Sequence, residues 1–391
     1  MSGIFYNQGA NTGSIGNQEK DSYFQRKALI EAQEEQYFTQ LADVSNMPRN
    51  TGKTIKLYHL LPILDDRNLN DQGIDAQGVT RSAKDKTGTG NLWGSSKDAG
   101  RIVSRMPLLT EGGERQNRIG FTRVTLEGSM YKLGFFYEYS EDVVQFDTQD
   151  DLVEHFHRET IIGANKISED LLQNDLLSAA GTIRYTGTAT SKATTSETSV
   201  VTYNDLMRLG IDLDNNLTPK STTIITGTTY VDTRVVGATR VAYIGSEMIP
   251  VLEAMKDLHG QKALKELAQY AAGTTPLKGE IGAIGGFRFV VVPSMQHFAG
   301  AGAASASGDF HTTGGKIDVF PILVVGDKSF TTIGFQTDGK NVKFIQKHAA
   351  PGAITNDNPY GTIGIGSIQW WYGFLALRPE RIGLIYSAAK L

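Results

Sequence analysis

Residues 148–180, TQDDLVEHFHRETIIGANKISEDLLQNDLLSAA, decide how the rest of the chain is read. Thr148 can accept a free N–H of a first helical turn, and Asp150, Asp151 and Glu154 set negative charge against the positive end of the helix dipole. From there Leu152, Phe156, Ala164, Ile167, Leu171 and Leu172 recur at three- and four-residue steps, so one face is apolar. Glu159, Lys166, Glu169 and Asp170 are left to meet water. Gly181 supplies the stop. A helix of about thirty residues is about 45 Å long, well beyond the globular average, and this one reads as a strut rather than a catalytic element.

The chain has 391 residues, 40% of them hydrophobic, enough for a large core and for two or three domains. It contains no cysteine, which excludes disulfides, thiolate nucleophiles and thiolate metal sites and suits a reducing cytoplasm. Residues 1–18 lack the basic start and apolar centre of a signal peptide. No apolar run approaches the roughly 18 residues of a membrane span, so a soluble protein with no membrane partner is expected. A formal net charge of -4 argues against a dedicated nucleic-acid binder. The 43 glycines point to many turns and close backbone contacts.

Working outward, residues 1–20 read as an arm and 21–42 as a short helix with Phe24, Ala28, Leu29, Ala32, Tyr37 and Leu41 as its apolar positions. A strand is expected at 54–64. Residues 65–118 are rich in Gly, mixed in charge with a slight excess of Lys and Arg, and apolar only in patches such as Leu92-Trp93, so they cannot build their own core. With strands on either side they read as the tip of a long two-stranded extension. An aromatic strand at 130–139 leads into the long helix, and its rings read as core. Beyond it come a Thr/Ser-rich loop at 185–201, a helix capped by Thr202 through Leu206, Leu209, Ile211 and Leu213, and helices at 246–258 and 261–271. Strands are expected at 222–226, 241–244, 287–292, 319–325, 331–335, 342–346, 368–377 and 382–386, the last two folding back on the first sheet. This half is α/β in character. AGAGAASASG, at 299–308, reads as a mobile loop tip.

The chain's candidate catalytic, cofactor and metal motifs each have a plainer structural explanation. Thr51-Gly52-Lys53-Thr54 resembles the end of a phosphate-binding loop, but Met47 stands where the first Gly is required and a strand follows. His155 and His157 are two apart on a helix and cannot share a metal. GAIGG at 282–286 precedes a strand and reads as a turn. No catalytic residue, metal or cofactor is expected.

An arm, a coreless extension, one strut helix, an α/β second domain and a return to the first sheet together resemble the HK97-type major capsid proteins of tailed phages, an α+β fold. More closely, the chain is similar to those of schitovirus-type podophages. The resemblance rests on Gly52-Lys53-Thr54-Ile55, the strand at 133–143, Gly285-Gly286-Phe287-Arg288-Phe289 with Pro293, Trp371-Tyr372-Gly373-Phe374, and Arg378-Pro379-Glu380-Arg381-Ile382. It spans most of residues 20–391. It implies an N-terminal arm at 1–50, an extended E-loop with its flanking strands at 51–126, and a peripheral domain at 127–200 and 340–391 with the spine helix at 148–180. The axial domain is 201–339, with 299–308 as a loop at the capsomer centre. It further implies an icosahedral virion head of hexamers and pentamers enclosing double-stranded DNA, put together in the bacterial cytoplasm with a separate scaffolding protein, a portal at one vertex and an optional decoration protein. Leu92, Trp93, Arg101, Arg105, Phe24 and Tyr37 are the intersubunit contacts it suggests. Eight Asp/Glu against two Lys/Arg in 147–180 suit DNA that is confined but not gripped. Two other readings stay open: an encapsulin-like nanocompartment shell and an α/β enzyme with a long lid.

Overall fold

In the computed structural model, residues 12–13, 16–17, 37–38, 41, 43–47, 53–60, 111, 123–143, 145, 152–225, 233–236, 239–266, 277, 279–305, 308–337, 340–341, 344–352 and 359–391 are described. In chain order the principal elements begin with β1 Asp43–Met47, β2 Thr54–Leu60, β3 Arg123–Ser140, α1 Leu152–Ala179, β4 Thr182–Tyr185, α2 Tyr203–Asn215 and β5 Arg240–Ile244. They continue with α3 Ile249–Glu253, β6 Lys265–Glu266, β7 Glu280–Ile284, β8 Phe287–Val291, β9 Val319–Val325 and β10 Phe330–Thr337. The chain ends in β11 Lys340–Asn341, β12 Phe344–Ala349, β13 Ile363–Ala376 and β14 Ile382–Ala388.

Two sheets carry the fold. One runs β11-β10-β13-β3-β2, with β12 added to β13 and β1 to β10; the other is mixed and runs β6-β7-β8-β5-β9-β14-β4. The second sheet is built on β9, VFPILVV, whose seven residues are all buried, as expected of a strand covered on both faces. Pro321 is tolerated inside it because β9 pairs with β5 only at Leu323 and Val324, so a missing N–H costs no rung on that side.

α1 is 28 residues long, about 42 Å, and it serves both sheets. Its first half packs Ala164 against Ile368 and Trp370 of β13, flanked by Leu133 and Phe135 of β3. Its second half buries Leu172, Leu176, Leu177 and Ala180 against Val241, Tyr243, Val290, Val319 and Leu323 of the mixed sheet. Thr148, Asp150 and Asp151 lie outside the described residues. The expected solvent face holds at Glu159 and Lys166 but fails at Glu169, which is buried, and Ile167 of the expected apolar face is 41% exposed. The cause is the helix's position between two sheets, which turns the Glu169 and Gln173 side inward. Gly181 ends the helix by close approach: a Cβ there would sit 2.8 Å from the Pro379 carbonyl carbon and oxygen, so the crowding, not a left-handed cap, requires glycine.

Further expectations change. Most of the helix expected at 21–42 lies outside the described residues; at its end 37–38 bend, the Leu41 N–H closes a 3-10 turn onto Phe38 O, and Phe38 rather than Leu41 is the buried residue. The helix predicted at 246–258 shrinks to a 3-10 turn plus α3. The one predicted at 261–271 is extended through Glu266: the Asp257 carboxylate accepts N–H bonds from His259 and Gln261, Gly260 adopts φ +78, and the reversed chain pairs Lys265 and Glu266 with Ala283 and Gly282. Residues 299–305 are tied down, with N–H bonds from Gly302 to Ile317, Ala303 to Thr195 and Ser305 to Gly315. Finally, β13 returns to the first sheet as expected, but β14 joins the mixed sheet. In α2, Leu206, Leu209 and Leu213 are buried while Ile211 faces out, and the Thr202 N–H is met by the Asp205 carboxylate.

Candidate assembly interface

β2 and β3 pair from Thr54↔Ser129 to Leu60↔Arg123, so the chain leaves this sheet and returns to it at neighbouring positions. Leu92, Trp93, Arg101, Arg105 and Phe24 lie outside the described residues. Tyr37 is described: its N–H is bonded to Glu169 Oε1 at 2.7 Å and its ring packs beside the core of its own chain.

Side chains alternate along β3, so one long strand serves two faces. Phe135 meets the edge of Trp370 at 6.0 Å between ring centroids, and Tyr137 leans on Phe156 at 5.2 Å, both on the α1 side. The expectation that the aromatic run is core holds for these and for Tyr139, and fails for Tyr131 and Phe136, which are 64% and 66% exposed. Tyr58, opposite Thr125, shares the face of Tyr131; Phe136, opposite Ser367, shares the other face with exposed Ile365. Trp371 stands between two cations, with Lys53 Nζ 5.8 Å and Lys132 Nζ 5.9 Å from its ring centre. Two-residue alternation separates Phe136 from the α1 face, but it places Tyr131 on the same face as Phe135 and Tyr137, so the exposure of Tyr131 depends on how far along the strand α1 reaches.

Where α1 begins, Tyr139 and His348 bond through Oη and Nε2 at 2.6 Å, and His157 meets His348 edge-on at 5.0 Å. Burial and the nearby His157 hold the His348 imidazole below its usual value. This is packing chemistry: the described residues hold no cluster of three metal-ligating side chains. Gly364 and Gly366 form its floor, because a Cβ at either would overlap the Tyr139 or Tyr137 ring. Gly366→Ala is expected to lower the urea-unfolding stability of the unassembled subunit by about 1–3 kcal/mol. An unchanged midpoint would show that the ring swings aside freely.

No protein-family model matches the chain. It is 51% identical over 382 residues, 97% of its length and 95% of the relative's, to the major capsid protein of Pseudomonas phage KPP21. The chain belongs to the phage major capsid proteins. Solved capsids share the subunit's fold at low identity: that of Ralstonia phage GP4 (12% identical, 96% of this chain and 97% of that one covered, TM-score 0.55) and that of cyanophage P-SCSP1u (13%, 94% and 93%, TM-score 0.51). The fold is thus the HK97-type α+β architecture, and the capsid subunit is a component of a phage shell, not of a nanocompartment or a lidded enzyme. Among its described residues no helix is long and apolar enough to cross a membrane.

Proposed function

We propose that the subunit closes, as hexamers and pentamers, into an icosahedral head enclosing double-stranded DNA, and that it does so as a structural element with no catalytic step. The observation that carries this is the sheet built around β3, which leaves Tyr58, Tyr131 and Phe136 largely exposed on an isolated subunit. Tyr58 and Tyr131 lie on one face and Phe136 on the other, and large apolar side chains on either face gain from burial against another chain. Residues 1–50 act as the arm, 51–126 as the E-loop, 127–200 and 340–391 as the peripheral domain, and 201–339 as the axial domain. In this reading Leu92, Trp93, Arg101, Arg105, Phe24 and Tyr37 contribute to contacts between copies. A separate scaffolding protein, a portal at one vertex and an optional decoration protein complete the head in the host cytoplasm. The eight acids of 147–180 keep the packaged DNA from adhering where the helix faces it.

Deleting residues 71–105 removes most of the E-loop while leaving β2 and β3 to pair. The expected product has the far-ultraviolet circular dichroism and sedimentation of a folded subunit but forms no closed shells by negative-stain microscopy, with or without scaffold. Particles of normal size from this deletion would overturn the assignment.

A further inference from the structure

Among the described residues the chain crosses between the two sheets three times, and all three crossings meet at one point. α1 passes into β4 through Gly181, β9 into β10 through 326–329, and β13 into β14 through 377–381. They are stitched together by backbone: Gly181 N–H to Pro379 O at 2.9 Å, Gly326 N–H to Arg381 O at 3.0 Å, and the Leu377 and Arg378 N–H groups to Ser329 O at 2.9 and 2.8 Å. Thr182 Oγ1 and Asn216 Nδ2 both donate to Glu380 O. The fit leaves no spare room, since a Cβ on Gly326 would lie 2.8 Å from Arg381 O.

The side chains there are far less satisfied than the backbone. Glu380 is only 8% exposed, and its Oε2, together with Arg381 Nε, Ser329 Oγ and Thr218 Oγ1, is buried without a hydrogen-bond partner within the chain. Buried polar atoms are normally paired, so a group of four at one crossing point needs an explanation. We propose that this point is a proton-gated joint: with Glu380 neutral the three crossings hold as one unit, and ionisation of its buried carboxyl loosens them and frees the angle between the sheets.

The charges around Glu380 fit that role. Arg378 and Arg381 act on it from its own turn, Asp327 of the β9–β10 turn acts on Arg381, and Arg184 of β4 and Asp212 of α2 are engaged with each other. The C-terminal ends of α1 and α2 both abut the turn, and their dipoles disfavour a carboxylate. Burial pushes the Glu380 carboxyl up to about 7, with a hydrogen bond from its own backbone and then the charges of the two arginines offsetting only part of the rise. The folded state therefore binds the proton more tightly than the open state does. The closed joint keeps its full strength below the ordinary carboxyl range and loses it as pH rises towards and through 7.

Hydrogen exchange on the full-length, unassembled subunit tests this at the amides of Gly181, Gly326, Leu377 and Arg378. After correction for intrinsic exchange, protection in the natural chain should fall by about tenfold or more between pH 5.5 and pH 8.5. Glu380→Gln should abolish the fall, and Glu380→Met serves the same purpose if the amide variant does not fold. Asp327→Asn, which alters a different carboxyl of the joint, should retain it. Protection that does not change with pH in the natural chain, or that falls equally without the Glu380 carboxyl, would overturn the proposal.

Discussion

Replacing Arg288 with Met should cost the subunit about 3–5 kcal/mol, the loss expected when one member of a buried ion pair is removed. Arg288 Nε and Nη2 each donate to a Glu280 oxygen at 2.6 Å, and the two side chains are 8% and 0% exposed. Glu280 also accepts the Leu277 N–H at 2.8 Å, so the pair fixes the approach to β7 as well as the β7–β8 hairpin. Without Arg288 the buried Glu280 carboxylate loses both of its hydrogen bonds from the guanidinium, and with them much of the compensation for its desolvation. Urea titration of the natural chain and the variant measures the deficit. Adding Glu280→Leu should recover most of the loss, because the desolvated charge goes too, leaving the Leu277 N–H as the remaining cost. A single-variant deficit below about 1 kcal/mol at pH 8 would mean that water reaches the pair.

The second large effect lies at Glu169. Its Oε1 accepts the N–H groups of Tyr37 and Phe38, at 2.7 and 2.5 Å, across more than 130 residues of sequence. Phe38 is thereby seated in the core under α1, its ring 5.1 Å from that of Tyr243. Burial, with the Glu169 charge next in importance, pushes the Tyr243 hydroxyl well above its usual value. Glu169→Ala removes two charge-assisted bonds at once and should cost about 2–4 kcal/mol, concentrated locally rather than across the sheets. The expected signature is fast exchange and protease cleavage around 37–38 while α1 keeps its protection; Glu169→Gln, which retains an acceptor oxygen, should show a smaller version. Uniform loss of protection across both sheets would show instead that this segment is part of the global folding unit.

How much of this could be read beforehand follows from the range of each interaction. β9 was legible residue for residue, because an unbroken apolar run is dictated by burial on both faces. The strut helix was legible from its period, and the GAIGG turn is the two-residue hairpin joining Ile284 to Phe287, with Gly285 at φ +60. The faces of the helix were not, because Glu169 owes its burial to a segment far away in sequence that supplies two N–H groups. The helix expected at 261–271 failed for a local reason that helical periodicity does not register: the Asp257 turn reverses the chain first. AGAGAASASG looked mobile from composition alone, yet its small residues let other backbone segments approach closely: a Cβ on Gly302 would lie only 2.7 Å from Ile317 O and 2.9 Å from Thr195 O. Of the candidate contact residues, only Tyr37 falls within the described chain, and the exposed rings of Tyr131 and Phe136 were hidden in a run that looked uniformly like core.

The paired exit and return at Leu60 and Arg123 also sets how the subunit bears load. Among the described residues β2 pairs only with Arg123–Ser129 of β3, whereas the next stretch of β3, Met130–Ser140, is held by β13 over eleven consecutive pairs. Tension applied to the excursion between them arrives at the open end of the β2–β3 ladder and unzips it rung by rung instead of shearing all rungs together. The weak link in a strained subunit is thus the β2–β3 ladder, which can open and re-anneal while Met130–Ser140, still paired with β13, and the helix resting on that part of the sheet stay in place.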